Sequence, residues 1–201
     1  MMGSNPEAPE RADVCAARPM RADAARNRAR ILEAAEVVFA ADGIEVPVDV
    51  IAEKAGVGVG TLYRHFETKE KLCEAILLER LARLTADARA LEDADDPTAA
   101  FFGFLAHVVE EATNTRHLLI AMMGAGIEFE QSAAEVKDAL RDAVGVLLER
   151  AQAVGSVRPD VTPATVVSLV GATCQAAAHA PATPGCDLLA IVCDGLRTQP
   201  A

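Results

Sequence analysis

Between Ile31 and Ile76 apolar side chains return every three or four residues, but Asp42-Gly43, Gly56 and Thr68 cut the pattern into short lengths. That recurrence is the period of a helix with one buried face. A glycine just past the last apolar position ends such a helix, because it enters the left-handed region without a Cβ clash. The cuts predict separate helices where one long helix would otherwise run. The first is expected to become ordered near Arg21, turn Ile31, Ala35, Val38 and Phe39 inward, and stop at Asp42-Gly43. Pro47 suits the first turn of a short second helix, with Val48, Ile51, Ala52 and Ala55 on its apolar side and Gly56 as its stop. In the third, residues 59–66, Leu62 and Phe66 share the inner face. Thr61, Tyr63, Arg64 and His65 fall largely off that stripe and are left for a partner.

The remaining signals are helical too. Thr68 caps a long fourth helix carrying Leu72, Ala75, Ile76 and Leu81 to about Ala90, and the acidic run 92–96 breaks it. Asp96-Pro97 opens a fifth, with Phe101, Phe102, Phe104, Leu105 and Val108. A shorter segment is expected at 116–124. Ser132-Ala-Ala-Glu135 reads as a capping box for a helix through Val136, Leu140, Val144, Leu147 and Ala151 to Gly155. Thr162-Pro163 starts the next, and Leu188, Leu189, Val192 and Leu196 mark the last. With 51% apolar but 3% aromatic residues, and few alternating β-branched runs, the chain reads as all-α. The expected organisation is a mobile arm at 1–20, a three-helix unit at 21–67 and a larger helical domain at 68–199.

The net charge of −11 argues against an indiscriminate nucleic-acid binder, since affinity for DNA comes largely from basic groups displacing counterions. The charge is unevenly placed, however. Residues 18–71 hold nine basic and nine acidic side chains, so the deficit belongs to the rest of the chain and a local basic face remains compatible with DNA. Cys15, Cys73, Cys174, Cys186 and Cys193 form no C-x-x-C pair, and residues 1–30 carry arginines but no apolar stretch like the core of a secretory signal. A reducing, cytoplasmic setting is expected. Residues 163–180 approach membrane length, but Thr165, Ser168, Thr173, Gln175 and His179 interrupt them, so a buried helix is expected rather than a membrane span.

The tight turn Ala55-Gly56-Val57 between the second and third helices is that of a helix-turn-helix, whose crossing needs small residues where the helices nearly touch. Spacing alone leaves an ordinary three-helix packing unit open. The run Ile51-Ala52-Glu53-Lys54-Ala55-Gly56-Val57-Gly58-Val59-Gly60-Thr61-Leu62-Tyr63-Arg64-His65-Phe66, followed by Thr68-Lys69-Glu70-Lys71-Leu72, is far more specific. It closely resembles the TetR family of repressors, over about residues 22–80. The resemblance implies an all-helical homodimer with an N-terminal DNA-binding domain and a C-terminal domain that binds a small-molecule effector and dimerises.

Under that resemblance the DNA contacts are expected from Arg26, Arg28, Val48, Gly58, Val59, Gly60, Thr61, Tyr63, Arg64, His65 and Lys69. A tyrosine hydroxyl, a histidine ring N–H and a lysine beside the positive end of the fourth helix suit phosphate oxygens and set register. Thr61 and Arg64 are placed to reach base edges, Arg64 best toward guanine, and Val59 to meet a thymine methyl. Gly58 and Gly60 weaken so short a helix, which points to a close approach by another backbone, such as that of DNA. Many relatives carry Thr and Ser or Thr where this chain has Pro47 and Gly58, so two expected polar contacts are missing. Asp49 reads as a residue that favours a helix N-terminus.

For the effector, Phe101, Phe104, His107, Met122, Met123, Phe129 and Cys174 make a grouping suited to an apolar or aromatic molecule, with core packing as the alternative. Val166, Leu169, Val170, Leu188, Leu189 and Val192 match the family's dimer interface, with internal core again the alternative. His107 with Glu110 or Glu111 has metal-compatible spacing, but no second cluster accompanies it, and neither metal nor cofactor is expected. No nucleophile elbow, phosphate-binding glycine loop or Cys-His pair favours an enzyme. The expected function is a regulator, released as a repressor from a palindromic operator by its effector. The rivals are a protein-binding adaptor and a thiol sensor built on Cys73 or Cys174.

Overall fold

The computed structural model describes residues 17–114, 134–179 and 187–198. Among them run α1 (Ala17–Asp42), α2 (Val48–Ala55), α3 (Val59–His65), α4 (Lys69–Ala90), α5 (Pro97–Asn114), α6 (Ala134–Ala153), α7 (Pro163–His179) and α8 (Leu188–Leu196). The only extended pairing among these residues is one antiparallel bridge between Val157 and Arg197. The segment expected at 116–124, Ser132 of the expected capping box, and most of the expected arm lie outside the described residues. α1 starts at Ala17, earlier than Arg21, over a stretch rich in the strong helix formers Ala and Arg.

The helix ends follow their local chemistry. Gly43 and Gly56 take φ values of 80° and 62°, the left-handed conformation that suits glycine. The Val57 N–H then donates to the Ala52 carbonyl at 3.0 Å, closing α2 and turning the chain straight into α3. Pro47 sits at the N-cap of α2 rather than inside its first turn. The Thr68 hydroxyl accepts from the Lys71 N–H at 3.2 Å, and the Asp96 carboxylate from the Ala99 N–H at 3.0 Å. Thr162 and Asp187 cap α7 and α8 in the same way.

Two hydrophobic cores result. The first joins Ile31, Leu32, Val38 and Phe39 of α1 with Ile51 of α2, Leu62 of α3, and Leu72, Cys73 and Ile76 of α4. The second joins Ala88, at the far end of α4, to Phe101, Phe104 and Leu105 of α5, Val144, Leu147 and Leu148 of α6, Val166 and Val170 of α7, and Leu196 of α8. α4 therefore belongs to both. Between the cores the contacts are ionic. Glu36 of α1 accepts from Arg80 and Arg83 of α4, at 3.3 and 2.8 Å, and Arg80 also lies 3.6 Å from Glu111 of α5. The acidic loop after α4 is held from outside itself, by Arg150 of α6, which donates to the carbonyls of Glu92 and Ala94.

Candidate nucleic-acid interface and cavity

α3 is anchored through one face only. Leu62 and, just past the helix end, Phe66 sink into the first core at 1% and 4% exposure, whereas Tyr63 remains 45% exposed. Gly60 and Arg64 share that outward side, and Thr61 and His65 are half-buried at its margins. Val48 and Val59, expected as contact residues, lean against the first core and present only part of their side chains. Lys69 opens α4 close by, at the positive end of that helix. Lys71 is by contrast tied to Glu74 at 2.6 Å. A hydrogen bond with Thr68 holds the Glu70 carboxyl below its ordinary range, so acid as well as base lies near this face.

Gly58 and Gly60 have no atom within 4 Å of where a Cβ would stand, and neither takes a positive φ. Nothing in the chain's own packing calls for glycine at either position.

The two arginines expected to meet DNA, Arg26 and Arg28 of α1, are engaged within the chain. Arg26 pairs with Asp23 on the same helix, both side chains well exposed. Arg28 lies over the Phe66 ring at 5.5 Å from its centroid, with Glu79 at 4.0 Å. It therefore rests on the three-helix unit, half exposed, rather than extending on a free arm.

A cavity of about 610 Å³ opens among four helices. Leu81 and Leu84 of α4, Leu105 and Val108 of α5, Leu140 and Val144 of α6, and Val166 and Val170 of α7 form apolar walls, and Lys137, Asp138 and Arg141 of α6 also line it. Of the residues expected there, Phe104 and Cys174 do line it. Phe101 does not: it is fully buried in the second core, edge-on to Phe102 at 5.2 Å. His107 also stands apart, half-buried with Nε2 3.3 Å from an Asp87 carboxylate oxygen. Met122, Met123 and Phe129 lie outside the described residues. The leucines of α4 and the charged residues of α6 carry no aromatic or sulfur signal that would mark them in the sequence as cavity lining.

The expected dimer residues divide. Val166 and Val170 are buried at 1% and 6% exposure and belong to the chain's own core, which corrects their assignment to an interface. Leu189 and Val192 pack partly against the same core. Leu169 and Leu188 face outward, together with Ile191 at 60% exposure, whereas the exposed Val167 lies at the cavity. Cys73 is fully buried, and burial pushes its thiol up to about 11, which removes it as a reactive thiolate near neutral pH. Among the described residues no group of three or more His, Cys, Asp or Glu side chains is arranged to hold a metal ion, and no helix is long and apolar enough to cross a membrane.

A short helix offered outward from a three-helix unit, joined by a shared helix to a cavity-bearing helical bundle, is the architecture of a helix-turn-helix transcriptional regulator. Residues 31–76 match the bacterial regulatory proteins of the tetR family, and residues 96–198 match the C-terminal domain of SbtR-like transcriptional regulators. The chain belongs to the TetR family of transcriptional regulators. It is 40% identical to a TetR transcription regulatory protein from Mycobacterium vanbaalenii, whose crystal structure superposes with a TM-score of 0.69 over 90% of this chain and 100% of that one. It is 28% identical over 155 residues to the transcriptional regulator UidR of Escherichia coli, covering 75% of this chain and 79% of that protein. The TetR-family repressor FadR of Thermus thermophilus, solved in complex with lauroyl-CoA, is 25% identical with a TM-score of 0.56, over 81% of this chain and 88% of that one.

Proposed function

We propose that the protein is a repressor that binds a palindromic operator as a homodimer and leaves it when a small, largely apolar effector fills the cavity. The observation that carries this reading is the double membership of α4. Leu72 and Ile76 at one end sit in the core that holds α3, and Leu81 and Leu84 further along wall the cavity. A ligand that favours one position of α4 therefore biases the setting of α3, which is the differential binding a switch requires. The FadR complex with lauroyl-CoA supports a ligand in a protein of this fold.

Tyr63, His65 and Lys69 supply phosphate donors, and Thr61 and Arg64 reach base edges. Gly58 and Gly60 leave room for the DNA backbone, which accounts for glycines that the chain's own packing does not need. Arg26 and Arg28 are able to trade their exposed partners for phosphates, since exposed ion pairs contribute little. The dimer face consists of the outward residues Leu169, Leu188 and Ile191 on α7 and α8.

The test is to select bound fragments from the source genome and titrate the best with wild type, Tyr63→Phe and Lys69→Ala at several salt concentrations. A palindromic site, a steep salt dependence and weakened variants are expected. No enriched fragment, together with unchanged variants, would replace the repressor with a protein-binding adaptor.

A further inference from the structure

We propose that the cavity's ligand is an anionic amphiphile, with its negative head at Lys137 and Arg141 and its apolar body between α4, α5 and α7. The proposal rests on the effector reading above and adds the ligand's chemical class. The walls contributed by α4 and α5 are Leu81, Leu84, Phe104, Leu105 and Val108, none with a side-chain hydrogen-bonding group. Cys174 adds a thiol that burial holds above its ordinary value, so it stays neutral. A ligand bearing hydroxyls along its body would bury them without partners among these residues, which is costly. About 300–1,000 Å³ is the usual size for a small-molecule site, and this cavity falls within it.

The polar residues lie together on α6. Asp138 pairs with Arg141 at 2.9 Å, whereas Lys137 has no ion-pair partner among the described residues. Among the described lining residues two cations stand against one carboxylate, in a chain whose overall charge is −11. Glu135, in the first described turn of α6, does not line the cavity. A carboxylate, sulfonate or phosphate head satisfies these groups. A neutral head does not, and a cationic one is repelled.

Titration calorimetry of the full chain with dodecanoate, dodecanol and dodecylamine separates the possibilities, because the three share a tail and differ in the head. Dodecanoate is expected to bind best and dodecylamine worst, with only the dodecanoate affinity falling as salt rises. Lys137→Ala should weaken dodecanoate by about threefold, as expected for one exposed ion pair, and Lys137→Glu by about tenfold, with dodecanol unaffected. Lys137 is exposed, so both variants should fold. Equal affinity for acid and alcohol, unchanged by either variant, would overturn the anionic head while leaving an effector cavity in place. Failure of all three ligands to bind would overturn the proposal, and the repressor reading would still be judged separately by the operator titration.

Discussion

The two cores of this chain solve different problems. The first is built from α1, α2, α3 and the start of α4, with alanines at 34, 35, 52 and 55 letting the helices approach and so setting the angle at which α3 is offered. The second is packed at one end by Phe101, Leu148, Ala151 and Leu196 and left open at the other by a cavity of about 610 Å³. A surface that must fit a DNA helix needs one rigid setting, while a site that responds to a ligand needs space and a wall that moves. The contrast lies in what each core omits.

The largest effect that tests this contrast is on stability. Ile51→Ala in the first core should cost about 2–5 kcal/mol in urea denaturation followed by circular dichroism. Leu84→Ala, at a half-buried position on the cavity wall, should cost clearly less than that; equal losses would show that this wall is as tightly packed as the first core. On the DNA side, Arg64→Ala should weaken operator binding by about 1–3 kcal/mol and relax preference at one base pair per half-site, read by competition with substituted operators. Lys69→Ala should instead lower the salt slope by about one per subunit, with no change in base preference.

A smaller effect is more diagnostic because its two readouts have opposite signs. Gly60→Ala should stabilise the folded protein by about 0.5–1 kcal/mol, since alanine is the better helix former and the space beside it is empty. The same change should weaken operator binding. If affinity is unaltered, the glycine is not there for DNA.

The smallest effect concerns Cys73. Its folded thiol holds its proton up to about 11, against an ordinary value of 9.0, so burial favours the folded state fully below 9.0 and the advantage is lost as pH rises through that window. Near pH 9 the unfolded chain should already gain a few tenths of a kcal/mol, and Cys73→Ala should remove that part of the alkaline slope.

The first core was legible because each of its constraints is local. Gly56 marks a left-handed turn, Thr68 a cap, and Leu62 with Phe66 a helical face, and each can be read within a few residues. α7 shows the opposite case. Apolar residues fall on more than one side of it, so periodicity does not settle whether Val166 or Leu169 points inward, and the expected interface falls partly on the buried side. The cavity escaped for a further reason. It is made by residues far apart in sequence, Leu81 beside Val144 and Val170, and a void leaves no composition signal. Arg150 gripping the loop carbonyls of Glu92 and Ala94 was equally invisible, because those acceptors are backbone.

The expected boundary at 67 marks the end of a motif but not of a folding unit. Leu72, Cys73 and Ile76 lie beyond it, each fully buried in the core that holds α3. A fragment cut there would lose one wall of that core, so the part that resembles a portable module is not portable. The reader helix can be transplanted, or kept while the rest is exchanged, only together with the first turns of α4.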